Sequence, residues 1–182
     1  MQKAKGLIKH KDKWLTKLEY EEVVNTAKGL IKYRNKWGTP EQVKSWKEIE
    51  TGINRNFMHL SPFQFEEFIA KLFNKMGYET TVTRKTGDYG IDVVAKGKGD
   101  VIGIQAKRNS EGINIGNETI QKVLGSMWKY KAKKAIIITT SDFTVQAKEQ
   151  AKGAPVELWN KRILHEMVRK YFIEDEKAAN PS

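Results

Sequence analysis

The spacing of apolar residues changes period along the chain. In "SPFQFEEFIAKLFNKMG" (61–77), Phe65, Phe68, Ile69, Leu72, Phe73 and Met76 recur at helical spacing and form one broad stripe. Ser61 fits the cap of this helix, Pro62 its first position, Gln64 the return bond of a capping box, and Gly77 its end. Beyond Gly77 the period falls to two. "ETTVTRK" (79–85), "GIDVVAK" (90–96) and "VIGIQAKR" (101–108) predict three strands, the last two joined by the turn "GKGD". A helix in "NETIQKVLGSMWKYK", a strand "AIIITT" (135–140), a helix in "TVQAKEQAK", a short strand "PVELW" and a helix "KRILHEMVRKYF" follow. The order α-β-β-β-α-β-α-β-α predicts an α/β fold, a mixed sheet flanked by helices.

Upstream, the pattern repeats. "AKGLIKHKDKWLT" (4–16) returns as "AKGLIKYRNKWGT" (27–39), 23 residues later. Each copy holds an apolar pair, a polar turn (Lys11-Asp12, Arg34-Asn35) and a tryptophan, the pattern of a short two-stranded ribbon. Thr16 with Glu19 and Thr39 with Gln42 then have capping-box spacing, and Pro40 suits the first helical position. Residues 1–51 therefore read as two ribbon-plus-helix units, 52–60 as a linker, 61–173 as the main domain and 174–182 as a disordered tail. Trp14 and Trp37 admit two readings: anchors of an interface with DNA or a second chain, or the small core of each unit.

Composition narrows the setting. With 39% apolar and 10% aromatic residues the chain is expected to be globular. No apolar run approaches a bilayer span, no signal-peptide stretch opens the sequence, and cysteine is absent, so a cytoplasmic protein without disulfides or thiolate metal sites is expected. A net charge of +11 and a pI near 9.6 suggest a polyanionic partner such as nucleic acid. His10, His59 and His165 are scattered without ligand spacing, which argues against zinc.

The second and third strands carry the candidate chemistry. If the turn at Gly97–Asp100 has an even number of residues, paired positions sum to 197 and Asp92 faces Gln105, with Cβ atoms about 5 Å apart. Lys107 shares that face, while Ile91, Val93 and Ile104 point into the core. Asp92 and Gln105 could supply oxygen ligands to Mg²⁺, and Lys107 could orient a water and offset developing charge. A structural Asp–Lys pair at the sheet edge is the competing explanation. Glu66, at the border of the 61–77 stripe, could add a second carboxylate, although a plain surface glutamate has the same pattern.

The segments "SPFQFEEFIAKLFNKMGYE", "TGDYGIDVVA", "IQAKR", "IIITTSDFTVQAKEQAK" and "VELWN" together resemble the catalytic domain of the Mrr-like restriction endonucleases, within the PD-(D/E)XK nuclease superfamily. The resemblance implies a restriction-endonuclease-like αβββαβ core and Mg²⁺-dependent hydrolysis of DNA phosphodiesters, with Mn²⁺ as a substitute. It implies Asp92 as the metal-binding aspartate, Gln105 and Lys107 as the Q-x-K form of the last motif, and Glu66 as the acid of the first helix. Asp88 matches a loop acid that supports the turn rather than the chemistry. Arg84, Lys85 and Arg108 are the candidate nucleic-acid contacts. Expected partners are double-stranded DNA, with modified and branched forms open, and a second copy in a homodimer. Residues 1–59 do not resemble the winged helix with which Mrr proteins find modified DNA. A structure-specific nuclease and a non-catalytic DNA-binding protein stay open as alternatives.

Overall fold

The computed structural model describes residues 6–83, 90–97 and 99–174, and it divides into two compact units, Met1–Glu48 and Ile49–Ser182.

In the first unit the repeat is a repeat of structure. Strands β1 (Ile8–His10) and β2 (Lys13–Leu15) pair as an antiparallel ribbon, followed by α1 (Lys17–Ala27); β3 (Ile31–Tyr33) and β4 (Lys36–Gly38) do the same ahead of α2 (Pro40–Asn54). Both expected capping boxes form. Thr16 N–H donates to Glu19 at 2.7 Å and Thr39 N–H to Gln42 at 2.8 Å, each answered by the return bond to the threonine hydroxyl.

The two copies differ in packing. In the second, Val43 and Trp46 are buried, Tyr33 stacks on Trp46, and Gly38 lies so close that a Cβ there would stand 2.6 Å from the Trp46 ring. The first copy has Leu15 and Val23 at the positions of Gly38 and Trp46, and α1 buries no residue. Trp14 is 61% exposed and Trp37 half-buried, so neither is the core of its unit; the buried indole is Trp46, 9% exposed.

The second unit is a five-stranded mixed sheet in the order β5-β6-β7-β8-β9: Glu79–Val82, Val93–Gly97, Asp100–Lys107, Lys134–Thr139 and Val156–Trp159. The first three strands are antiparallel and the last two join in parallel, as their helical crossovers require. Helices α3 (Pro62–Lys75) and α6 (Lys161–Val168) cover one face, where Phe65, Ile69, Phe73 and Leu164 bury Val93, Ile104, Ile136 and Ile138. Helices α4 (Asn117–Ser126) and α5 (Val145–Ala151) cover the other, where Ile120, Val123 and Ala147 meet Ala135 and Ile137. Alternation along β8 thus feeds two cores, and its run of isoleucine is buried on both sides. At the end of α6 the helix widens into a π-helical segment, Arg169–Glu174.

The expected linker at 52–60 is instead part of the main domain. Helix α2 continues to Asn54, and Ile53 and Phe57 are fully buried in the same core as Phe65. Polar neighbours in "TGINRNFMHL" hide these two anchors when the segment is read as a line. The expected tail is outside the described residues from 175 onward.

Candidate active site

Strands β6 and β7 pair in the expected register, Val93 with Ile104 through Gly97 with Asp100, which leaves two residues between the paired ends. At the other end of this hairpin, Asp92 is no longer part of the ladder. Its own N–H donates to Ile104 O at 2.8 Å, while its carboxylate takes the place of a backbone carbonyl: Oδ2 accepts the Ala106 N–H at 2.7 Å. The same oxygen accepts the side-chain amide of Gln105. Because a carboxylate can only accept, the NH₂ of Gln105 must face it, and Oε1 becomes the acceptor end of that amide. Asp92 and Gln105 are 4% and 3% exposed, so this is a buried, charge-assisted contact.

The ladder's break at Asp92 also corrects one expectation. Ile91 does not share the face of Ile104: its Cδ1 lies 2.6 Å from where a Cβ on Gly103 would stand, on the opposite face. Alternation holds only while the backbone stays in the ladder, and Asp92 has left it.

Lys107 is half-buried, two residues beyond Gln105 on the same face, and it pairs in register with Thr139. Glu66 is half-buried on the second turn of α3, between the fully buried Phe65 and the exposed Glu67. That helix packs on β6 and β7, the two strands that carry Asp92 and Gln105 at their ends. The structure therefore joins Asp92 to Gln105 directly, sets Lys107 next on the strand, and carries Glu66 on the adjoining helix. Arg108 leans toward the chain ahead of α3, with Nη1 3.4 Å from Met58 O. Asp88, Arg84 and Lys85 lie outside the described residues.

Sequence reasoning missed the hydroxyl cluster beside Lys107. Thr139, Thr140 and Ser141 are all buried at the end of β8. Thr140 Oγ1 accepts Asn109 N–H at 2.8 Å and donates to Asn109 O at 2.7 Å, clamping the chain two residues past Lys107. Asn56 donates to Thr140 O at 2.6 Å and shares a 3.1 Å bond with His165 Nε2. The signal was available: three hydroxyls closing the otherwise apolar "AIII". Burial, and the positive charges of Arg169 and Lys161, hold His165 below its ordinary pKa, with Glu50 opposing. A cavity of about 360 Å³ opens beside this cluster, lined by Asp142, Asn160, Lys161 and His165; none of Asp92, Gln105, Lys107 or Glu66 lines it.

The Mrr catalytic domain, a restriction endonuclease family, matches residues 57–168. The chain belongs to this family. It is 31% identical over 123 residues to the type IV methyl-directed restriction enzyme EcoKMrr of Escherichia coli (strain K12), covering 62% of this chain and 40% of that enzyme. The chain thus spans well under half of that relative. Two solved restriction endonucleases share the fold. The DNA modification-dependent enzyme AspBHI superimposes with a TM-score of 0.55 at 19% identity, over 78% of this chain and 38% of that one. MspJI, in complex with a 27-mer oligonucleotide, gives 0.53 at 17% identity, over 76% and 33%. The α/β restriction-endonuclease-like fold is therefore shown, and no described helix is long and apolar enough to cross a membrane.

Proposed function

We propose that this chain is a Mg²⁺-dependent DNA endonuclease, with Mn²⁺ as a substitute, that hydrolyses phosphodiester bonds through Asp92, Gln105, Lys107 and Glu66. The buried Asp92–Gln105 contact carries this reading within a restriction endonuclease family. A carboxylate 4% exposed is costly to desolvate, and two N–H donors offset part of that cost where its strand leaves the sheet.

The donor set suits a hard cation that keeps part of its water. Its atoms are oxygens, and among the described residues no three His, Cys, Asp or Glu gather into a closed cage. Asp92, Glu66 and the Oε1 of Gln105 would hold the ion. When bound it supplies Lewis-acid polarisation of the phosphate and a more acidic water. Lys107 orients the attacking water and offsets the negative charge that grows on the phosphate oxygens. Gln105 fixes the Asp92 carboxylate, and its neutrality leaves the site with one negative charge fewer than a glutamate at 105 would give. The Thr140 clamp on Asn109 fixes the strand end from which Lys107 projects.

One such site cuts one strand, so cleavage of a duplex calls for a homodimer or two successive events. EcoKMrr is methyl-directed and AspBHI modification-dependent by name, which makes modified DNA the first substrate to test. The experiment offers plasmid, methylated plasmid and a synthetic four-way junction to the protein with Mg²⁺ or Mn²⁺, with Asp92→Ala as control. Metal-dependent cutting of any of them, lost in the control, is expected; no cutting of any, or full cutting by Asp92→Ala, overturns the assignment.

A further inference from the structure

The two ribbons of the first unit present the same outward surface twice. Residues directly opposite in an antiparallel pair share a face, so Lys9 with Trp14, and Lys32 with Trp37, stand together on one side of their ribbons. The flanking pairs point the other way, toward the helices. His10 meets Tyr20 of α1 edge-on at 5.5 Å, and Tyr33 stacks on Trp46 of α2 at 6.1 Å. Each repeat therefore turns an indole and an ammonium away from its own helix. Trp14 is 61% exposed, and Lys32 Nζ sits 5.7 Å from the Trp37 ring centre.

Charge is segregated in the same sense. Residues 1–48 hold 12 Lys and Arg against 6 Asp and Glu, and five of those acids (Glu19, Glu21, Glu22, Glu41 and Glu48) lie on α1 and α2. The ribbons carry Lys9, Lys11, Lys13, Lys32, Arg34 and Lys36 against Asp12 alone. At both tips the basic residue adopts a left-handed backbone, Lys11 at φ 52° and Arg34 at φ 53°. Glycine or asparagine adopts that conformation at less cost, yet both copies place a cation there.

We infer that the paired Lys9–Trp14 and Lys32–Trp37 faces form a binding platform for unpaired DNA nucleotides, with bases stacking on the indoles and Lys9, Lys11, Lys32 and Arg34 meeting the phosphates. A flat aromatic ring beside a cation fits a splayed base and its phosphate, whereas the stacked bases of an intact duplex offer no such face. The platform belongs to the first unit and the residues assigned to cleavage to the second, and it deepens the reading that this chain acts on DNA.

The test uses the whole 182-residue chain in chelator, so that binding is read without cutting. Fluorescence anisotropy compares a labelled single-stranded oligothymidylate with a duplex of equal length, for wild type, Trp14→Ala/Trp37→Ala and Trp14→Phe/Trp37→Phe. The alanine pair should weaken single-strand binding at least about tenfold, given the usual worth of a stacked base, while duplex affinity changes less than about threefold. The phenylalanine pair keeps a π-face and should retain most of the affinity, which separates stacking from a folding defect. Sedimentation should show the same mass for all three. Unchanged single-strand binding by the alanine pair, an equal loss on duplex, or a loss that follows a change in mass would overturn the inference. Because cleavage is not read, an inactive enzyme that still binds through Trp14 and Trp37 would refute the nuclease assignment and leave the platform standing.

Discussion

Gln105 donates its side-chain amide to the same carboxylate oxygen of Asp92 that accepts the Ala106 N–H. One acid oxygen thus serves a strand end and a side chain together. Asp92→Ala should leave both donors without that acceptor and cost about 1–3 kcal/mol of stability. Cleavage should vanish, while DNA affinity in chelator stays within about threefold because few phosphate contacts are lost. Urea unfolding and anisotropy check the two halves separately.

Gln105→Glu would set a second carboxylate against Asp92. Without metal, the like charges should lower the melting temperature by a few degrees or force one acid to keep its proton. With Mg²⁺ or Mn²⁺ the added charge should tighten binding, so the metal-induced rise in melting temperature should exceed that of wild type. Equal rises in both proteins would show that the side chain at 105 is not a ligand.

Lys107→Ala should slow cleavage about 100-fold or more while leaving melting temperature nearly unchanged, since the residue is half-buried and acts on developing charge. Single-turnover rates on a substrate cut by the wild type are the measure. Arginine at 107 keeps the charge but not the compact ammonium, and only partial rescue is expected.

Gly103→Ala tests the crowding at the break in the ladder. Its Cβ would stand 2.6 Å from Ile91 Cδ1, a fully buried atom, and the overpacking should cost about 1–3 kcal/mol. Adding Ile91→Val removes that Cδ1 and should return part of the loss. Denaturation midpoints for the single and double variants decide it.

The half-buried His165 gives the main domain a pH dependence of known sign. Its folded pKa lies below the ordinary 6.5, because burial and then Arg169 and Lys161 disfavour the charged ring. The unfolded chain therefore binds the proton more readily. The stabilising contribution is full above about pH 6.5 and is lost as pH falls through the folded value. His165→Gln keeps a donor for Asn56 and should flatten the stability profile between pH 5 and 7, roughly the window of an ordinary histidine.

The order of elements and the register of the β6–β7 hairpin were legible because each rests on local information. Paired capping residues bound the helices, and the even turn between Gly97 and Asp100 sets which residue faces Asp92. Three features were not legible, each for a physical reason. Ile91 follows the backbone out of the ladder, a departure that depends on the Ala106 N–H choosing a side chain as partner. Ile53 and Phe57 are core residues in polar company, and only the approach of α3 reveals their burial. Trp14 and Trp37 occupy matching positions beside unequal neighbours, since Trp46 fills the second copy of the repeat where Val23 leaves the first open.

The corner ahead of α3 has a mechanical consequence. Asn56 and Phe57 both adopt left-handed backbone, at φ 48° and 56°, so the chain reverses sharply there. Phe57 is driven into the core, Asn56 is tied to Thr140 and His165, and Met58 O meets Arg108. A pull transmitted along the polypeptide from upstream must break these ties before it can displace the helix bearing Glu66. The load would pass into β8 and α6 instead. A long polymer dragging on the preceding residues would therefore leave the placement of the acid undisturbed until the corner itself gave way.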